Sequence, residues 1–231
     1  METDTVSDQL FNTILTVVNR HGLQAGADHE VHVLESHGTL EAAKSYITSQ
    51  SLEKLGLDPR EFAVYAVRSS AKQDEAQDWP HGDGVLVFGR APTGSEIRIA
   101  IATTPNRESL TTGPGGELLL PDSARHLHYI LLTTVDYNVD RGGCSLTTEI
   151  VGVYVHRREA WAAARKALDG DKLAECDYSD EPKFAGEWPF GEDVAVHAIS
   201  ETGQNYYVAV QTPLWAHTER KHKVRKGLAL A

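Results

Sequence analysis

The chain has 231 residues, of which 41% are hydrophobic and 24% charged, so it is able to fold around a sizeable core. Its 33 acidic residues outnumber 22 Lys and Arg residues, and the formal charge of -11 repels phosphate backbones and anionic lipid. Nucleic acid and membranes are therefore not expected as partners. The sequence also lacks a secretion signal and an apolar run of about 18 residues, which predicts a soluble cytoplasmic protein.

The first predicted element is an amphipathic helix that begins near Ser7 and ends near Asn19, within an N-terminal helical segment of residues 1–28. Four apolar residues recur at the spacing of one helix face. These residues are Leu10, Ile14, Val17 and Val18.

Two stretches of the chain are similar enough to indicate an internal repeat. "DWPHGDGVLVFGRAPTGSEIRIAIAT" begins at Asp78, and "EWPFGEDVAVHAISETGQNYYVAVQT" begins at Glu187, 109 residues later. They share Trp-Pro, glycines and strand valines without a gap. Each stretch predicts a turn, an alternating strand, a Thr-Gly turn and a second strand, which is the pattern of a β-hairpin. The four predicted strands are Val85–Arg90, Ile97–Ala102, Val194–Ile199 and Tyr206–Gln211.

The similarity extends upstream of each hairpin at a different offset. "VHVLESHGTLEAAK" from Val31 resembles "VGVYVHRREAWAAARKAL" from Val151, 120 residues later, and each predicts a strand followed by an alanine-rich helix. Thr39 is predicted to cap the first helix, and Gly56 to end it. The alternating residues from Glu61 to Val67 predict a further strand in the first copy.

Together these elements predict an α+β fold, in which two pseudo-repeated strand-helix-hairpin units pack as one two-layer domain with a largely antiparallel sheet, plus the N-terminal helix. The second unit is predicted to open with two strands joined by a polar loop. The predicted boundaries are 1–28 for the helical segment, 29–105 for the first unit, 106–125 for a loop or linker, 126–215 for the second unit and 216–231 for a basic tail.

The paired Trp-Pro turns are the first candidate for a binding site. Trp, Pro and Gly fix turns and fill cores, so a structural turn is one interpretation and the mouth of a ligand site is the other. Phe190 stands where the first copy has a histidine, which argues against a shared catalytic cluster. The candidate binding residues are Trp79, His81, Asp83, Trp188 and Glu192.

The polar loop from Asp136 to Gly143 resembles the start of a calcium-binding loop. Asp136, Asn138 and Asp140 alternate as the oxygen ligands of such loops do. However, Arg141 stands where that loop requires glycine, and ordinary turn chemistry explains the same residues.

Two histidines form a second candidate metal site. His126 and His128 are two residues apart, and in a strand this spacing puts both imidazoles on one face. No third ligand can be named, so a pair of unliganded strand histidines is the alternative. His156 and His197 are further candidates by residue type only.

The basic run from Arg220 to Lys226 is predicted to be a solvated tail, although it keeps nuclear import open as an alternative. No nucleotide-binding or hydrolase motif is found, and no cofactor is implied. The sequence therefore predicts a non-catalytic binding or interaction module that holds a small molecule or a protein in the groove between its two repeat units. The alternative is a small-molecule enzyme with a His/Asp cluster in that groove, which the 11 histidines keep open.

Overall fold

A computed structural model describes residues 5–19, 28–68, 79–142, 145–170, 172–184 and 187–216, together with Val224 and Leu228. Strands make up 44% and helices 17% of these residues, in three antiparallel sheets and three α-helices. The chain divides into two compact units. One comprises Met1–Leu119 and Pro213–Ala231, and the other comprises Leu120–Thr212.

The first unit is built on a five-stranded antiparallel sheet with the order β3-β2-β6-β5-β4, and a small sheet with the order β1-β7-β8 lies in the same unit. The strands are β1 (Thr5–Val6), β2 (Gln9–Asn19), β3 (Asp28–His37), β4 (Val64–Val67), β5 (Val85–Arg90), β6 (Glu96–Pro105), β7 (Thr111–Thr112) and β8 (Leu118–Leu119). The helices are α1 (Leu40–Ser49) and α2 (Ser51–Leu55), with 3-10 turns at Pro59–Glu61 and Leu214–Ala216.

The second unit has a five-stranded antiparallel sheet with the order β10-β9-β13-β12-β11. Its strands are β9 (His128–Val135), β10 (Leu146–Tyr154), β11 (Leu173–Tyr178), β12 (Val194–Ser200) and β13 (Asn205–Gln211). Its helix is α3 (Arg157–Ala164), and a 3-10 turn spans Pro182–Phe184.

The two large sheets have the same strand order when strands β2 to β6 are matched in turn with strands β9 to β13. Each unit therefore follows the sequence strand, strand, helix, strand, strand, strand. The α+β prediction is wrong, because each large sheet has five strands, the helices are few and the protein is mostly β. Helices α1 and α3 begin at Leu40 and Arg157, 117 residues apart, so the offset of 120 also misaligned the upstream part of the repeat.

The predicted N-terminal helix is strand β2, which lies inside the sheet between β3 and β6. Neighbouring residues such as Asn12 and Thr13, or Val17 and Val18, are all buried, so both faces of this strand are covered. A strand covered on both faces has no polar-apolar alternation, and its apolar residues then matched a helical period by coincidence. Asn12 is accommodated by hydrogen bonds to Ser36 and Thr104 on the two neighbouring strands.

The predicted first helix begins and ends where its sequence indicates, but it is divided at Gln50 into α1 and α2. The Thr39 side chain accepts a hydrogen bond from the Ala42 amide, which confirms the predicted N-cap. Gly56 ends α2 in the left-handed region with φ of 68° and confirms the predicted stop. Both helices cover one face of the first sheet, where Tyr46 and Ile47 pack into a core with strand residues such as Ile97.

Two segments that were predicted to be irregular take part in the fold. The predicted linker, residues 106–125, contains β7 and β8 of the small sheet. In the predicted solvated tail, Val224 and Leu228 are 2% and 0% exposed and belong to the core beneath α1 and α2. The prediction of a solvated tail is therefore wrong at these two residues. The basic residues of the run from Arg220 to Lys226 lie outside the described residues.

Candidate functional site

The first Trp-Pro turn is held by a ladder of rings that ends on strand β5. The Trp79 indole meets the His81 imidazole edge to face, with ring centroids 4.8 Å apart. His81 in turn stacks on Phe88, with centroids 3.9 Å apart and ring planes 7° apart. Phe88 is 2% exposed, so the ladder anchors the turn to the interior of the sheet.

The second turn has the same ladder on strand β12. Trp188 meets Phe190 edge to face at 4.9 Å, and Phe190 stacks on His197 at 3.8 Å. The Trp188 indole also donates a hydrogen bond to the Val194 carbonyl oxygen. The His197 ring lies 3.2 Å from the amide oxygen of Asn205, which is not a catalytic carboxylate.

The two ladders contain the same pair of rings in exchanged positions. His81 and Phe190 are 109 residues apart, and so are Phe88 and His197, so each copy stacks one imidazole on one phenyl ring. The sequence carries this signal, because both pairs of positions keep the offset of 109 residues. The exchange indicates that stacking is the shared role of these positions, and the assignment of the candidate binding residues to a ligand site stays a prediction. Asp83 and Glu192 are both exposed beside these ladders.

The polar loop after β9 uses its side-chain oxygens within the protein. Asp136 accepts hydrogen bonds from the Asn138 amide and from Gln204, and these bonds hold the pKa of its carboxyl group below the usual range. Asn138 donates to the Thr202 carbonyl oxygen, and Asp140 accepts from the Gly142 amide. The bonds from the Asn138 and Gly142 amides are local and typical of Asx-turns, whereas the bonds with Gln204 and Thr202 tie the loop to the β12–β13 turn.

The predicted histidine pair comes together at one end of the second sheet. His126 and His128 have ring centroids 5.2 Å apart. His128 pairs with Tyr154 on β10, and His156 follows two residues later at the start of α3. Within the described part of the chain, no group of three or more His, Cys, Asp or Glu residues is arranged to hold a metal ion. Metal binding by these candidate residues stays a prediction.

A groove in the first unit was not anticipated from the sequence. It has a volume of about 360 Å³ and lies between the end of α1, helix α2, the following 3-10 turn and strand β4. Its lining residues are Ile47, Thr48, Ser49, Gln50, Leu52, Glu53, Leu57, Asp58, Pro59 and Tyr65.

Acidic and aromatic groups set the chemistry of this groove. Arg60 donates hydrogen bonds to Asp58 and lowers the pKa of its carboxyl group to about 2, so this carboxylate is ionised at neutral pH. Glu53 supplies a second carboxyl group. Partial burial raises the pKa of the Tyr65 phenol, so Tyr65 presents a neutral hydroxyl group.

Strand β4 forms one edge of the first sheet, and its side chains are exposed although they are apolar. Val64, Tyr65 and Val67 have exposed fractions of 41%, 36% and 38%. Beneath the strand, buried Phe62 lies against Gly89 of β5, where an added Cβ atom would come within 2.8 Å of the phenyl ring. The described residues place no strand on the outer side of β4.

The matching edge strand of the second unit is charged instead. When the two large sheets are aligned through β5 and β12, the pairing of each edge strand makes Glu175 the counterpart of Val64 and Asp177 the counterpart of Ala66. Lys183 forms an ion pair with Asp177 at 2.5 Å. Charges on an edge strand discourage pairing with another chain, so the two copies differ at this position in their capacity for strand addition.

Across the described residues, no helix has both the length and the apolar character needed to cross a membrane. Comparisons of the chain with protein-family models, curated proteins and solved structures find no match.

Proposed function

We propose that the protein is a non-catalytic binding module whose first unit takes up an extended peptide segment of a protein partner along the outer edge of β4. The observation that carries the proposal is the uncharged, exposed edge strand Val64–Val67 directly beside a groove of about 360 Å³. A site in the groove between the two repeat units stays a prediction from the sequence.

The backbone of β4 supplies the first part of the recognition. An edge strand has N–H and C=O groups on alternate residues that point away from the sheet, and an added strand pairs with them. Main-chain bonds give such a complex its affinity, and side chains at alternate positions give it specificity. The apolar side chains of Val64, Tyr65 and Val67 favour a segment with β-branched or aromatic residues.

The groove supplies the second part. Tyr65 belongs both to β4 and to the groove lining, so a segment paired with β4 has side chains within reach of the groove. Glu53 supplies an exposed carboxyl group to the groove lining, whereas Asp58 is already paired with Arg60, in a protein with a formal charge of -11. Since charge complementarity speeds association and selects partners, a Lys or Arg side chain is the expected occupant of the groove.

Selection of peptides from a random twelve-residue display library tests the proposal. The full chain serves as the target, and the recovered peptides are then tested against a Val64→Lys/Val67→Lys variant. We expect recovered sequences to alternate apolar residues and to contain Lys or Arg, and to bind the variant about tenfold or more weakly, because added charges oppose strand addition.

The repeat offers a matched control at Glu175, the exposed counterpart of Val64 on β11. A Glu175→Lys variant also adds a lysine to an edge strand and should keep peptide binding. Both variants are checked by thermal unfolding. Peptides that bind the β4 variant as tightly as the parent protein, or that are lost with Glu175→Lys, would refute the assignment to β4.

A further inference from the structure

The hydrogen bonds of strand β4 determine the register in which a segment pairs with its outer edge. Just after the strand, the Arg68 amide donates to the Leu86 carbonyl oxygen of β5. Because these bonds alternate along antiparallel strands, the even-numbered residues of β4 bond to β5, and the N–H and C=O groups of Tyr65 and Val67 point outward. Side chains of directly opposed residues share a face, so a residue paired with Tyr65 presents its side chain on the groove side of the sheet.

The wall that α1 contributes to the groove carries hydrogen-bond acceptors. The hydroxyl groups of Thr48 and Ser49 donate to the carbonyl oxygens of Lys44 and Ser45, one turn earlier. Their protons are therefore used within the helix, and the hydroxyl oxygens keep lone pairs for a donor. Helix α1 ends at Ser49 with no basic residue in its last turn, so no side chain of that turn compensates the negative end of the helix dipole.

One carboxylate of the groove is not used by another side chain. Glu53 is exposed and forms no ion pair within the part of the chain that the structure describes. The neighbouring Lys54 is paired with Glu35 at 2.7 Å, and the Arg60 guanidinium donates to both oxygens of Asp58 at 3.0 and 3.1 Å. The groove thus presents one uncompensated negative charge beside neutral acceptors, and a single cationic side chain complements it.

An aromatic ring completes the lining of the groove. Tyr65 stacks on buried Phe62, with ring centroids 6.2 Å apart and ring planes 27° apart. One face of the Tyr65 ring is therefore covered, and the remaining surface of this half-buried residue lines the groove. A ring supported in this way is a fixed platform on which a planar cation stacks.

We propose that the groove is selective for an arginine side chain, carried by the bound segment at the position opposite Tyr65. This inference rests on the function proposed above and narrows the partner to an arginine-bearing segment. A guanidinium group is planar, has five N–H donors and stacks on aromatic rings, whereas the lysine ammonium is more strongly hydrated and has three donors. The guanidinium forms a bidentate pair with Glu53 and donates its remaining hydrogen bonds to the hydroxyl oxygens of α1.

Three synthetic versions of one peptide recovered from the display selection test the proposal in calorimetric titrations of the full chain. They carry arginine, lysine or citrulline, a neutral analogue of arginine, at the arginine position that the recovered sequences share. We expect lysine to weaken binding about fivefold or more and citrulline about tenfold or more. Equal binding of the arginine and lysine versions, or recovered sequences that share no arginine, would overturn the selectivity.

Glu53→Gln is the diagnostic variant, and Glu41→Gln removes the same charge at an exposed residue in the first turn of α1. We expect Glu53→Gln to weaken the arginine peptide about tenfold and the citrulline version less than about twofold. Glu41→Gln should change neither by more than about twofold. Unfolding curves show whether both variants stay folded, and equal effects of the two variants would contradict the role of Glu53.

Failure of this inference and failure of the proposed function give different results. Peptides that are lost with Val64→Lys/Val67→Lys but tolerate lysine in place of arginine keep strand addition and overturn the arginine groove. If no peptide pairs with β4, arginine and lysine that are acetylated at the α-amine and methylamidated at the carboxyl group decide the inference alone. Saturable NMR shifts of the Gln50 and Glu53 amides with the arginine compound only would support the groove, and their absence would overturn it.

Discussion

Two positions exchange their rings between the copies of the repeat, and the exchange leaves one stacked imidazole and one phenyl ring in each. His81 stacks on Phe88 in the first unit, and Phe190 stacks on His197 in the second. Both units therefore retain the stacked pair of rings, although the residue at each single position differs. An exchange of this kind is expected when two positions are coupled in one packing arrangement.

The coupling is measurable with a double-mutant cycle in the first unit. Phe88→His alone puts a second imidazole in a site that is 2% exposed, so we expect it to lower the free energy of unfolding. The double variant His81→Phe/Phe88→His recreates the arrangement of the second unit and should recover about 0.5–1.5 kcal/mol relative to the sum of the single changes. Urea denaturation of the parent protein, the two single variants and the double variant measures this coupling free energy. Additive effects of the two single changes would show that the two positions are not coupled.

At this scale the sequence was informative wherever a residue acts on its own chain neighbours. Thr39 as N-cap and Gly56 as the stop were predicted because capping and left-handed conformation depend on local backbone geometry. The exposed state of Val64 and Tyr65 was not predicted, because exposure at a sheet edge depends on where the strand lies in the sheet.

Elements with a local signature were predicted with accurate bounds, and those without one were not. Strand β5 spans the predicted residues Val85–Arg90, because it carries turn signals at both ends. Strand β2 was assigned as a helix, because both of its faces are buried and the alternation is lost. With β2 restored as a strand, the two large sheets have the same strand order.

Helix α3 has no side-chain hydrogen bond at its N-cap, His156, so a better capping residue is expected to stabilise it. His156→Thr gives α3 the capping residue that α1 has at Thr39, so we expect it to raise the free energy of unfolding by about 0.5–1 kcal/mol. The comparison is made by urea denaturation. Thr39→Ala is the reciprocal control and should lower stability by a similar amount. A loss of stability in His156→Thr would mean that the imidazole supports the fold.

At the scale of the whole molecule, buried His37 and half-buried His128 make stability depend on pH. Burial lowers the pKa of His37, and burial together with neighbouring cations lowers that of His128 to about 4, against an ordinary value of 6.5. As the pH falls below about 6.5, the unfolded chain binds protons that the folded protein does not, so stability is lost. For His128 this loss levels off below about pH 4, where the folded state also becomes protonated.

Urea denaturation between pH 7.5 and pH 4.5 measures this dependence. We expect the unfolding midpoint to decrease as the pH falls, and His128→Gln to show a shallower decrease than the parent protein. An equal slope in the two proteins would show that His128 does not contribute.

Near the C terminus, Val224 and Leu228 contribute to the core of the first unit. Leu228 is 0% exposed and belongs to the core that also contains Tyr46 and Ile97. Leu228→Ala should therefore lower the free energy of unfolding by about 2–4 kcal/mol, as core truncations do. Leu119→Ala, at a leucine that is 41% exposed, should change it by less than about 0.5 kcal/mol. Equal effects of the two variants in urea denaturation would place Leu228 outside the core.

The central claim is that the first unit binds an extended peptide by adding a strand to β4. Backbone hydrogen exchange of the full chain, with and without a peptide recovered from the display selection, tests this claim most directly. Strand addition predicts that amides within Val64–Val67 become protected on binding, because their outward N–H groups enter new hydrogen bonds, while amides of the matching strand Leu173–Tyr178 do not change. Peptide binding that leaves Val64–Val67 unprotected, or that protects Leu173–Tyr178 instead, would contradict the claim.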